Sequence, residues 1–331
     1  MKSLWTYLGL ALILTGCSGS PKHIVDSGEI GAISFRDEKH GWAVGHTFDK
    51  KLFLASTEDG GGHWKLTQVD AGGQDGSLFG IAFRDEKNGW AVGSHRLAFS
   101  TSDGGQNWTK MEALGDAKAL HYKASTGCLV LGSTGFAHTH GILVFEEDPL
   151  KSTGGGSQSD RGRIIDPWDV QIVDGENLIG FDSTTLYRSS DKGKSWKVIE
   201  LNESLQNSSV VNAVNRVYFD TPEHGWLAYD DGTLSTTNDG GITRTPLNAL
   251  GLEGRKIWRL HFFDSTTGVA LTRAENGKQF ILTTLDGGKS WKNKLTLDEG
   301  EWDRWDVVDK THAWVGGRIQ GKVYVKAFKP G

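Results

Sequence analysis

The residues best equipped for chemistry in this 331-residue chain recur in one pattern. Thr57-Glu58-Asp59-Gly60-Gly61-Gly62-His63-Trp64 reads S/T-x-D-x-G-x-x-W, and Thr101 to Trp108, Ser189 to Trp196 and Thr284 to Trp291 repeat it. Thr237-Asn238-Asp239-Gly240-Gly241 begins a fifth copy, with Arg244 where Trp is expected. A carboxylate in a glycine turn can hold a hard cation or act as a general acid. The same Asp can instead accept hydrogen bonds from its own turn amides. Glycine then supplies a left-handed backbone, and the Trp buries a large area between sheets. This second reading accounts for every position of the box. Asp59, Trp64, Asp103, Trp108, Asp191, Trp196, Asp239, Asp286 and Trp291 are therefore expected to be structural.

Other catalytic candidates are sparse. His138-x-His140 lacks a third zinc ligand, and the carboxylates Glu146, Glu147 and Asp148 read as a solvated turn. Cys128, beside Gly127, Leu129 and Leu131, reads as a buried strand residue. There is no G-x-S-x-G elbow, no phosphate loop and no dinucleotide fingerprint. No metal and no cofactor are expected.

The box aspartates are spaced by 44, 88, 48 and 47 residues, so one copy has decayed near Asp148. A period in the mid-forties means stacked supersecondary units. A second repeat lies between the boxes: Phe35 to Gly45 (FRDEKHGWAVG) is nearly duplicated by Phe83 to Gly93. Weaker copies follow at Tyr122 to Gly132, Val173 to Gly180, Phe219 to Ala228, Phe263 to Leu271 and Val308 to Gly316. That makes seven units of four short strands, an all-β seven-bladed β-propeller of four-stranded antiparallel blades. Its expected extent is 22–331. The turn after the first strand ends in His40-Gly41, Asn88-Gly89 or His224-Gly225, residues that tolerate φ > 0. The third unit departs from the pattern, with a flexible insertion at Lys151 to Arg163. The last unit lacks a fourth strand, and the N-terminal piece His23 to Asp26 is expected to supply it, since an open edge is a liability.

The chain begins with a targeting segment. Lys2 precedes an apolar run from Leu4 to Leu14, and Leu14-Thr15-Gly16-Cys17 resembles the bacterial lipobox. The expected boundaries are a signal peptide over 1–16 and a tether over 17–21 acylated on Cys17. By analogy with bacterial lipoproteins, Ser18 rather than Asp after the cysteine favours the outer over the inner membrane, with the protein facing the periplasm. The net charge of −5 argues against nucleic-acid binding, and a monomer is expected.

In a propeller, the turn joining strands one and two shares one face with the box. Ligands gather on the other face, around the channel. Trp168, Arg216, Trp258, Arg259, Trp302, Arg304 and Trp305 fall near the starts of first strands, and Arg96, Arg273 and Arg318 follow second strands. All map to the ligand face. Arg gives planar bidentate donors, and Trp and Arg dominate binding hot spots. A polypeptide or other anion is the expected ligand, and exchanging Arg259 and Arg304 for Glu is expected to abolish capture without loss of stability.

The quoted boxes match the Asp-box (bacterial neuraminidase) repeat. The pairing of Phe/Gly-Trp-Ala-Val-Gly with T-x-D-G-G-x-x-W resembles the photosystem II stability and assembly factor family of seven-bladed propellers. It does so over about residues 28–328, most strongly in units 1, 2, 5 and 6. That resemblance implies a non-catalytic, membrane-associated scaffold that binds partner proteins, with arginines in its binding surface. The alternative is a sialidase-like glycosidase or a glycan-binding propeller. The former needs an arginine cluster, a Tyr nucleophile and an acid/base Asp, for which Tyr229 and Asp230 lie on the right face. However, Phe35-Arg36-Asp37-Glu38 and Phe83-Arg84-Asp85-Glu86 lack the Ile-Pro of the sialidase F/Y-R-I-P motif.

Overall fold

The computed structural model describes residues 20–69, 72, 76–111, 117–123, 128–133, 142–145, 169–201 and 213–331. The leader, Cys17, Trp168, His138, His140, the carboxylates at 146–148 and the insertion at 151–163 lie outside them. All regular structure in the described residues is β-strand, and none of it is a helix long and apolar enough to cross a membrane.

The strands form antiparallel sheets in chain order. The first sheet is Glu29–Phe35, Gly41–His46, Leu52–Thr57 and Lys65–Thr67, and the second is Leu78–Phe83, Gly89–Gly93, Ala98–Thr101 and Thr109–Lys110. The third shows three strands, Ala117–Lys123, Cys128–Ser133 and Ile142–Phe145. The fourth is Asp169–Ile172, Leu178–Phe181, Thr185–Ser189 and Lys197–Glu200, and the fifth is Val214–Phe219, Gly225–Tyr229, Leu234–Thr237 and Thr245–Leu247. The sixth is Arg255–Phe262, Gly268–Ala274, Gln279–Thr284 and Lys292–Thr296. The seventh is Glu301–Val307, Ala313–Ile319 and Lys322–Phe328, completed on its outer side by Lys22–Val25, as the unpaired edge led us to expect. Successive sheets pack on one another through their inner strands, and the seventh packs on the first. This is the radial arrangement of a β-propeller.

Position in the sheet explains composition. Second strands such as Gly89–Gly93 are buried on both faces by neighbouring sheets and are apolar throughout. Outer strands such as Lys65–Thr67 and Lys292–Thr296 are exposed and rich in lysine, which blunts their open edges.

Gly41, Gly89 and Gly225 were expected to provide left-handed backbone, and neither they nor Gly268 at the matching place in the sixth sheet does so. Their hydrogen faces a ring instead: an added Cβ would come within 2.3 Å of Phe35, and within 2.6 Å of Phe83, Phe219 and Phe262 respectively. His40, Asn88 and His224 likewise keep negative φ. Their side chains bond Asp37, Asp85 and Asp220 at the head of the same turn.

The Phe at the end of the first strand is the core of each well-formed seam. Trp42 of the first sheet stacks on Phe83 of the second at 3.6 Å, and the second sheet's box residue Trp108 meets the same ring edge-on. Trp42 Nε1 also donates to Gly104 O inside that box, at 2.9 Å. Trp226 repeats this on Phe262 and Gly287 O, and Trp314 on Phe35 and Gly60 O. Elsewhere polar side chains do the joining. Gln171 exchanges two hydrogen bonds with the backbone of Phe219, and buried Gln279 does the same with Trp302.

The N-terminal strand buries Ile24 and Val25 against the seventh sheet. Fully burying such side chains is worth about 1.5–3 kcal/mol each. Deleting residues 22–27 should therefore lower the melting temperature by roughly 5–10 °C, read by calorimetry or circular dichroism. An unchanged melt would mean that the strand contributes nothing to closing the seventh sheet.

Candidate functional site

The five box carboxylates are spent on their own loops. Thr57 Oγ1 donates to Asp59 Oδ1 at 2.9 Å and accepts from Gly61 N–H, also at 2.9 Å. His63 N–H and its ring nitrogen satisfy Asp59 as well. Asn107 does this for Asp103, Ser195 for Asp191, Thr243 for Asp239 and Ser290 for Asp286. Gly60 and Gly61 take the left-handed backbone the box requires, with Lys192 in place of the first glycine in the fourth sheet. Arg244 substitutes for Trp by reproducing its bond: Nη1 donates to Gly241 O at 2.9 Å, as Trp196 Nε1 donates to Gly193 O at 3.0 Å.

These bonds shift the titrations. The Asn107 amide, ahead of its side chain, holds Asp103 at about 2. The Thr243 hydroxyl and amide hold Asp239 at about 2. At Asp59 burial pushes upward, but His63 and Thr57 outweigh it and bring the group to about 2. A second series of aspartates heads the turns between first and second strands. Burial raises Asp37 and Asp85, yet amides and the side chains of His40 and Asn88 pull both well below the usual carboxylate range.

The arginines occupy a shared register. Most first strands carry a bulge, falling between Ile30 and Ala32, Leu78 and Gly80, Val214 and Arg216, Ile257 and Arg259, and Trp302 and Arg304. The position just after the bulge is Ala32 in the first sheet and Gly80 in the second, and Arg216, Arg259 and Arg304 on three consecutive sheets, the fifth to the seventh. Ala32 packs in the core between the first and second sheets and Gly80 looks onto Leu120 of the third, whereas the three guanidiniums lie close enough to perturb one another. Asp169 occupies the matching place in the fourth sheet, paired with Phe181 as Ala32 is with Val44.

Arg216 Nε donates to Trp258 O of the next sheet at 2.6 Å, and Arg304 Nε to Gly31 O across the seam between the seventh and first sheets. Arg304 also pairs with Asp303 at 2.6 Å. Arg259 bonds a backbone oxygen, Trp258 O, at 3.0 Å. Each side chain keeps some accessible surface, although protein nearly surrounds Arg216 and Arg259. Burial first, then the neighbouring Arg216 charge, pushes Arg259 down to about 9, so it stays cationic at neutral pH. Three guanidiniums thus converge on one channel, and Asp303 and Asp169 offset them in part.

The remaining sequence candidates fall in three places. Arg96, left-handed at φ 56°, Arg273 and Arg318 lie on the expected face at second-strand ends or turns. Arg318 is held between Glu301 (2.6 Å) and Glu29 (2.7 Å), and Arg273 lies over the Trp258 ring. Trp302 is wholly buried, its indole donating to Asp298 O, so its place is the core between the sixth and seventh sheets. Trp305 packs partly buried beside it. Tyr229 packs on the fifth-sheet core, and Asp230 pairs with Lys256. No group of metal-ligating side chains occurs among the described residues.

The fold and channel define a β-propeller whose polar interior is an arginine cluster. Residues 24–117 match the family model described as photosynthesis system II assembly factor YCF48. No curated protein sequence matches the chain. Among solved structures, YCF48 bound to D1 peptide superposes with a TM-score of 0.71 at 15% identity, covering 94% of this chain and 96% of that one. YCF48 from Cyanidioschyzon merolae gives 0.67 at 16% identity, covering 94% and 99%. The GH74 xyloglucanase from Xanthomonas campestris gives 0.59 at 13% identity, covering 94% of this chain and 55% of that chain. At these identities the structural likeness is one of fold. Residues 24–117 thus resemble that family's repeat, and the chain as a whole has the β-propeller fold of those structures.

The depressed box and turn aspartates make this fold acid-sensitive. A carboxylate whose folded pKa lies below its unfolded value of about 4 stabilises fully above about pH 5. That contribution is lost as pH falls through the folded value. The melting temperature should therefore be flat from about pH 5 to 7 and drop steeply between about pH 4 and 2. A melt independent of pH over that lower window would show the carboxylates to be unpaired in solution.

Proposed function

We propose that the protein is a non-catalytic, seven-bladed propeller scaffold that binds a polypeptide partner through its arginine-lined channel. In this reading it is held at the cell envelope, on the periplasmic face of the outer membrane, by acyl chains on Cys17. The seven sheets form one closed ring in which the N-terminal strand completes the last blade. The observation that carries the binding role is the placement of Arg216, Arg259 and Arg304 at one register position on consecutive inner strands, with their charges close enough to act on one another. Guanidiniums desolvated in this way reward an anionic partner more than surface arginines do. A relative of the same repeat family, YCF48, has been solved bound to D1 peptide, which supports a polypeptide as the ligand class. The identity of this chain's partner does not transfer with the fold.

The arginines also have separable duties. Arg216 and Arg304 each bond the backbone of the neighbouring sheet, so exchanging Arg304 for Glu should cost stability as well as binding. Arg259 bonds a carbonyl on its own strand, that of Trp258. Arg259→Gln should therefore weaken capture of acidic peptides on an array at least tenfold while the melting temperature stays within about 2 °C. Arg304→Gln should lower both. Undiminished peptide binding by Arg259→Gln would remove the channel from the function.

A further inference from the structure

We propose that the face of the last three sheets carrying the boxes and the turns between first and second strands is a membrane-docking surface. It rests on the bilayer that the anchor enters, with Leu285 and Val308 in the headgroup layer. This rests on the reading of Cys17 as acylated.

Strand direction sets which face meets the lipid. Lys22 pairs with Val325 and Val25 with Val323, so the chain running back from Lys22 heads towards Phe328. Phe328 pairs with Ala313, beside the 308–312 turn. Lys22 lies five chain steps beyond Cys17, a reach of at most about 18 Å. An acylated Cys17 therefore holds the turn-and-box side of the seventh sheet close to the membrane, and the opposite face, with Arg96, Arg273 and Arg318, points into water.

The surface so placed is apolar where the repeat does not require it. The position between Thr/Ser and Asp of the box is Glu58, Ser102, Ser190 and Asn238 in four copies, and Leu285 in the sixth sheet, 74% exposed. Four positions further along, Gly62, Gln106, Lys194 and Lys289 are answered by Ile242, 52% exposed. Leu250, 58% exposed, flanks the same loop as Leu285, since its N–H donates to Lys289 O at 2.9 Å. That loop sits on its own 264–267 turn through Gly287 N–H to Thr266 O, and Lys310 joins Asp264 at 2.7 Å to bring in the turn of exposed Val308. The patch is thus continuous over the sixth and seventh sheets.

Exposed Lys289 and Lys310 border this patch, and Asp264, Asp286 and Asp309 on the same face are engaged in turn hydrogen bonds, Asp264 with Lys310 as well. The surface is thus close to charge-balanced, and the aliphatic tips beside an acyl anchor are what suit it to a lipid headgroup layer. Of the other large exposed apolar side chains among the described residues, Phe48 lies on the opposite face under the Arg318 guanidinium, and Leu66 lies on an outer strand.

The test is hydrogen exchange on the full mature chain bound to vesicles of phosphatidylethanolamine and phosphatidylglycerol, comparing the parent with Leu285→Asp. Amides of 308–312 should exchange several-fold more slowly in the parent than in the variant, and those of 47–51 on the other face equally in both. An acylated chain with equal exchange at 308–312 in both proteins would overturn the docked face and leave the patch to a protein partner. A mature chain whose mass carries no acyl group would remove the anchor, and the docking with it.

Discussion

The stack of Trp42 on Phe83, with the indole N–H on Gly104 O, is the contact on which the rest of the ring depends. It binds three things at once. The Phe ends a first strand, the Trp comes from the preceding sheet, and the accepting carbonyl lies inside the box. A buried aromatic pair adds about 0.5–1.5 kcal/mol beyond its area, and the carbonyl would otherwise be one of the loop's orphan acceptors. The box must hold its glycine backbone fixed for that carbonyl to be in place, which is the work of Thr101 and Asp103. Gly89 must stay without a side chain for the Phe ring to fit. Each repeated residue type thus serves one seam.

Where the aromatic seam is missing, other side chains replace it. The second strand of the fourth sheet offers Ile179 where Trp stands elsewhere, and Arg188 reaches across to Pro222 O and Asp239 O of the fifth sheet. Gln279 joins the sixth and seventh sheets through both ends of its amide, fully buried. Arg216 and Arg304 belong partly to this set. They stabilise seams with one nitrogen and present the remainder of a planar cation to the channel. In the proposed binding role, a strand already locked to its neighbour preorganises the side chain it carries, so less freedom is lost when a ligand arrives.

Much of this was legible in the sequence because a fixed period leaves little choice of architecture. The box spacing located the sheets, the missing fourth strand pointed to Lys22–Val25, and the structural reading of Asp59 and its counterparts agrees with their bonds. Three features were harder to see. The glycine before Trp looks like a turn residue, yet it serves ring packing across a strand pair, a contact between elements that local sequence does not encode. Trp302 looked like a binding residue by its place near a strand start, but the bulge at Asp303 turns it into the core. The common register of Arg216, Arg259 and Arg304 was present all along, each lying three residues before the Phe or Val that closes its strand. Reading it required knowing that a bulge precedes all three.

The central claim is that the boxes build the ring and the opposite face and channel bind a polypeptide. Photo-crosslinking tests it most directly, with a photoreactive residue placed at exposed Glu275 on the arginine face or at exposed Ser102 in a box. The account predicts polypeptide adducts from position 275 that disappear when Arg259 is replaced by Gln, and none from position 102. Adducts from 102 alone, or from 275 irrespective of Arg259, would contradict it.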